Sequence, residues 1–163
     1  MANILVDGLW HTTSKCRYDA IKADGTIRVE PKIPDAERHK TANGPANYPF
    51  VRSLGGVSLF DFSAFDPEWY GQSYPLSSWV FFVPVRSGWT EAIWIEIDRT
   101  AISSKFIDGK TLLGRWRAAE AYGHTIMPII EAAHIGDLSE TKFLRSLAVS
   151  KLGHGFGVEP LTN

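Results

Sequence analysis

Two side chains in this 163-residue chain stand where their types could do chemistry. His11 lies in GLWHTTS (Gly8 to Ser14), at the end of a short apolar run and just before hydroxyls able to cap a helix. There an imidazole can point into a cleft, or simply hydrogen-bond to fix the turn. Glu131 lies about 120 residues on, in TIMPIIEAAHI (Thr125 to Ile135). If that run is one strand, Glu131 shares a face with Met127, Ile129, Ala133 and Ile135. A carboxylate on an apolar face is costly unless it is paired or opens on a cleft, and such placements are often functional. A register change at Pro128, or a bulge, would instead turn Glu131 outward. His134, on the opposite face, reads as a structural histidine.

Ser58 sits centrally in GGVSLFDF, where two preceding glycines let a ligand or another backbone approach. The alternative is a small polar residue filling a strand face. Arg52 could grip a phosphate bidentately, or be an ordinary exposed arginine at a strand start. Other chemistries have less to stand on. The five histidines share no i, i+4 spacing and flank no cysteine cluster, so no metal is expected. Gly153-His154-Gly155-Phe156-Gly157 lacks the strand and helix that a phosphate loop needs, and 153–163 reads as a flexible tail. No GxSxG motif is present, and Cys16 has no obvious base, which argues against a nucleophilic hydrolase.

The elements that must position these residues follow from periodicity and breakers. A helix after the hydroxyls carries Cys16, Ala20 and Ile21 and stops at Asp24-Gly25; Thr26 to Val29 alternates like a strand. Pro31 to Pro49 is a long loop, rich in Pro, Asn, Gly and charge. GGVSLFDF is strand-like, and Phe65 to Pro75 is irregular. Ser78 to Val85 is so rich in aromatic and β-branched residues that it predicts a strand buried on both faces. Glu91 to Asp98 alternates, with Ile93, Ile95 and Ile97 on one face. Lys110 to Tyr122 predicts a helix ended by Gly123. Asp137 to Glu140 forms a capping box that predicts a last helix with Phe143, Leu144, Leu147 and Leu152 as its stripe. The sum is α+β: a single domain of split mixed or antiparallel sheets with a few flanking helices.

Composition bounds the partners. Seventeen basic and eighteen acidic residues give no bulk charge that calls for nucleic acid or an anionic membrane, although a local basic groove is compatible with it. One cysteine excludes an internal disulfide framework and suits a reducing cytoplasm. No membrane span or signal peptide is expected.

The order of LWHTT, a short helix, ADGTI, GGVSLFDF, EAIWIEID and IMPIIEAAHIGDL resembles the ADP-ribosyltransferase-like superfamily. The similarity is to the branch of diphtheria toxin, the poly-ADP-ribose polymerases and the RNA 2′-phosphotransferases. The carrying residues are Trp10-His11-Thr12-Thr13, the helix and glycine leading to Ile27, and Glu131. The resemblance implies NAD as substrate, with His11 on its ribose and Thr13 supporting that neighbourhood. It implies Glu131 on the ribose 2′-hydroxyl, stabilising the oxocarbenium-like centre as nicotinamide leaves. Ser58 or Phe60 would occupy the strand that supplies ring stacking, and Arg52 would meet the pyrophosphate. Thr12 stands where many members have Gly, no tyrosine lies in GGVSLFDF, and Ile129 occupies the position two before Glu131. The implied activity is ADP-ribosyl transfer to a protein or nucleic-acid acceptor, or NAD glycohydrolysis, as in a small toxin or phage-related effector with an inhibitory partner protein. Two alternatives remain: a non-catalytic module presenting Trp69, Tyr70 and Tyr74, and an RNA 2′-phosphotransferase-like enzyme.

Overall fold

The computed structural model describes residues 5–41 and 44–161. These form nine strands: β1 (Leu9–Thr13), β2 (Thr26–Ile27), β3 (Gly56–Asp61), β4 (Glu91–Ile97), β5 (Phe106–Ile107), β6 (Glu131–Ile135), β7 (Leu138–Ser139), β8 (Phe143–Leu152) and β9 (Gly155–Leu161). Four helices accompany them: α1 (Lys15–Asp24), α2 (Phe50–Ser53), α3 (Pro67–Ser73) and α4 (Gly109–Ala118). Seven strands make one antiparallel sheet in the order β5-β6-β3-β1-β4-β8-β9, and β2 pairs with β7 in a second. The fold is α+β. No helix among the described residues is long and apolar enough to cross a membrane.

The large sheet is buried on both faces because its central strands carry apolar residues at odd and even positions alike. Trp10, Phe60, Phe62, Ala92, Trp94, Leu147 and Val149 pack on one side, beneath an aromatic cover that includes Tyr70, Trp79 and Phe82. Leu9, Val57, Leu59, Ile93, Ile95, Ile97 and Ala148 pack on the other, against Tyr18 and Ile21 of α1, with Ile27 and Leu138 of the small sheet. Phe50, Val51 and Leu112 bring α2 and α4 onto Ala133 of β6. Buried indoles need partners. Trp10 donates to the Leu5 carbonyl at 3.0 Å and Trp94 to the Pro84 carbonyl at 2.6 Å.

Local signals set α1 as expected. Ser14 Oγ accepts from the Arg17 N–H, and Gly25 ends the helix in the left-handed region at φ 63°, where glycine costs least. The strand expected over Thr26 to Val29 shortens to its first two residues. The long 31–49 loop holds only two short 3-10 turns, Asp35–Glu37 and Pro45–Asn47.

Four expectations are corrected. Ser78 to Val85 is not a strand: Ser78–Phe81 is a 3-10 turn whose aromatic side chains roof the sheet, while Val80 points to solvent. Phe65 to Pro75 contains α3, capped by Asp66 through the Glu68 and Trp69 amides. The helix expected after the capping box is β8, with Ser139 capping a single 3-10 turn before it; strand partners on both sides override the helical spacing of its leucines. The predicted flexible tail is strand β9, joined to β8 by a turn at Gly153 and His154; only 162–163 of that stretch lie outside the described residues.

The run TIMPIIEAAHI is also shorter as a strand than expected, beginning at Glu131 itself. Residues 125–130 form a loop in which Ile129 adopts φ 68°. A β-branched residue is strained there.

Candidate functional site

The site lies where the large sheet opens. Strand β1 pairs with β3 only at Leu9–Asp61 and Trp10–Phe60, yet with β4 as far as Thr13–Ile93. Past Trp10 the two strands part, and the imidazole of His11 enters the gap. Its Nδ1 lies 3.1 Å from the Ser58 carbonyl oxygen. A carbonyl only accepts, so Nδ1 carries the proton and Nε2 is left as an acceptor. Burial lowers the His11 pKa, with the Ser58 bond opposing, so the imidazole is neutral at physiological pH.

Glu131 opens β6 opposite Phe60 and shares its face of the sheet with Ser58. It is 3% exposed. The Ser58 hydroxyl donates to Oε1 at 2.7 Å, and the Met127 backbone N–H donates to Oε2 at 2.8 Å. Burial raises the Glu131 pKa, and these two donors oppose the rise. Ser58 thus touches both candidate groups, His11 through its carbonyl and Glu131 through its hydroxyl.

These groups line one cleft of about 700 Å³ with Thr13, Arg52 and Phe60, so the six residues to which the resemblance gives a site role all line it. Their states differ from expectation in two cases. Phe60 is buried in an aromatic cluster with Phe62, Phe82 and Trp94, leaving only part of its ring to the cleft. The Arg52 guanidinium is already engaged, by Glu30 at 2.9 and 3.0 Å, by Asp35 at 3.4 Å and by the Tyr48 ring at 3.7 Å. Arg38 also pairs with Glu30. With Arg52 first among its causes, that double pairing holds the Glu30 carboxyl at about 2, despite some desolvation.

Two polar atoms in the cleft's lining residues, Thr12 Oγ1 and Arg52 Nη1, are buried with no hydrogen-bond partner among the described residues. Buried polar atoms are normally satisfied, so such orphans mark places for a ligand or water.

The cleft is also more basic than the chain. Arg17, Arg28, Lys32, Arg38, Arg52 and Arg86 line it, against Asp24, Glu30 and Glu131. Sequence reading found only Arg52, because the others are scattered through α1, the residue after β2, the long loop and the turn before β4, and carry no shared motif. It also missed the Met127 amide, since a backbone donor has no side-chain signature. The aromatic surface expected around Trp69, Tyr70 and Tyr74 is mostly interior: Tyr70 is 1% exposed and its hydroxyl lies 2.9 Å from Ser77 Oγ, while Trp69 is half exposed.

No family model matches the chain, and no curated protein matches it by sequence. Among solved structures it is similar to protein CC0527 from Caulobacter crescentus, known by X-ray crystallography, with a TM-score of 0.47 and 11% identity over 94% of this chain and 92% of that one.

Proposed function

We propose that this protein cleaves the nicotinamide–ribose bond of NAD and passes the ADP-ribosyl group to an acceptor or to water. The observation that carries the reading is Ser58 holding His11 and Glu131 at one cleft through its two oxygens.

The residues present suit such a substrate. A cleft of about 700 Å³ falls within the range of ligand pockets. Its arginines complement a pyrophosphate, and the orphaned Thr12 hydroxyl can bond a carboxamide or ribose hydroxyl. When the bond breaks, its electron pair leaves on nicotinamide and positive charge develops on the ribose. Glu131 supplies a fixed anion for that charge, held by Ser58 and Met127 with no reorganisation needed. Neutral His11 offers Nε2 as acceptor to a ribose hydroxyl. Ser58 is a positioning residue for both.

The test is nicotinamide release from NAD by purified protein beside Glu131→Gln and His11→Ala. Glu131→Gln is expected to slow release at least about 100-fold, equivalent to roughly 2.7 kcal/mol of transition-state stabilisation. Wild-type protein that neither releases nicotinamide nor binds NAD in calorimetry overturns the proposal.

A further inference from the structure

Beyond the cleft, a second hollow of about 390 Å³ opens beside the start of α1. Arg17, Ile33, Arg86 and Trp89 wall both spaces, so the two are neighbours across these side chains. The charges there are unbalanced. Arg86 has no carboxylate partner among the described residues; its guanidinium stacks over Trp89 at 5.1 Å and Phe81 at 5.6 Å. Arg17 donates to the Glu37 carbonyl at 2.9 Å and pairs loosely with its carboxylate at 3.5 Å. Burial lowers the Arg86 pKa, and the nearby Arg17 charge lowers it further. Glu37 is the one carboxylate lining the hollow against two guanidiniums, so positive charge is in excess there and an anion would offset it.

We propose that this hollow and the adjoining cleft mouth bind single-stranded nucleic acid, with Arg17 and Arg86 on phosphate and Trp89 stacking on a base. Cationic side chains beside a half-buried aromatic ring are the combination by which single strands are held without sequence preference. An acidic peptide would satisfy the arginines but make no use of the aromatic ring beside them. The strand's role as ADP-ribose acceptor rests on the NAD reading above; its binding does not. In transfer, a base nitrogen or hydroxyl oxygen bonds to the ribose carbon, nicotinamide leaves with the electron pair of the broken bond, and the acceptor's proton goes to water.

The experiment is fluorescence anisotropy of a labelled RNA of about 12 nucleotides with the full chain, without NAD, across a salt series. Binding with a log–log salt slope near −1.4 is expected for two phosphate contacts, falling by about 0.7 in Arg17→Ala and in Arg86→Gln. Trp89→Ala is expected to weaken binding roughly 5- to 100-fold. Arg17 keeps part of its side chain exposed on α1, 26% of it, so its variant reports even if Arg86→Gln fails to fold. No binding at about 50 mM salt overturns the proposal. So does binding untouched by Arg17→Ala, or equal competition by a poly-glutamate peptide, which points to a protein acceptor. Oligonucleotide binding without nicotinamide release would leave the site standing and remove only its role as acceptor.

Discussion

Ser58 does at the residue scale what neither His11 nor Glu131 does alone. Its carbonyl fixes the His11 tautomer and its hydroxyl donates to the Glu131 carboxylate. Removing that donor in Ser58→Ala withdraws an interaction that favours the ionised form, so the already raised Glu131 pKa rises further. The acid limb of kcat/KM for nicotinamide release is therefore expected to move to higher pH, with the plateau reduced; an unmoved limb contradicts this role. The same burial has a stability consequence. A carboxyl whose folded pKa lies above its unfolded value destabilises the fold as pH rises from about 4.5 through the folded pKa. Glu131→Gln removes that cost, and the Ser58 hydroxyl can rotate to accept from the new amide. Its melting temperature is expected to exceed the wild type's at pH 8, by roughly 2–4 °C per kcal/mol regained, and to match it near pH 4.

At the element scale, the loop before β6 decides where the carboxylate sits. Residues 125–130 carry the Met127 amide to Glu131 and put Ile129 in the left-handed region. That path is held against the first residue of α4. A Cβ on Gly109 would lie 1.6 Å from the Ile129 carbonyl oxygen, a backbone atom that cannot swing away. Gly109→Ala must therefore shift the loop or the helix. An overpacking cost of about 1–3 kcal/mol corresponds to a melting temperature lower by roughly 2–12 °C. Faster hydrogen exchange at the Met127 amide would show the site loosened; exchange and melting like the wild type's would contradict the account. The sequence marks 125–135 as a strand broken or edged at Pro128, and only contact with α4 fixes the path of the bend.

For the whole molecule, the perturbed groups make the fold acid-labile. Burial lowers the pKa of His11 and His134, and burial with the Arg86 and Lys40 charges lowers that of His39 to about 4. The fold thus loses stability as pH falls below about 6.5 through those folded values. Glu30, at about 2, and Asp61, raised by burial but lowered more by the Arg99 pair and Ser63, lose their contributions as pH falls below about 4.5. Glu131 runs the other way, and one group offsets only part of the rest. The melting temperature is expected to fall steadily from pH 6.5 to 3, with His39→Gln flattening the upper part of the fall. A melting temperature constant between pH 6.5 and 4 would contradict this balance.

How much of this was legible in the sequence depended on how local each signal is. Ser14 and Gly25 bound α1 through contacts within a few residues, so the chain text alone set the helix behind His11. Alternation in EAIWIEID marked β4, and the glycines before Ser58 marked β3. What tertiary structure decided were the choices in which local propensity was outvoted. Leucines at helical spacing became β8 because β4 and β9 offered backbone partners along its length. The β-prone run at Ser78 became a roof, with Trp79 and Phe82 packed onto the aromatic side of the sheet. The parting of β1 from β3, the meeting of His11 and Glu131 on Ser58, and the gathering of six basic side chains at one cleft are all long-range. Such convergence has no period to read, because it is fixed by which strands pair and not by what neighbours what along the chain.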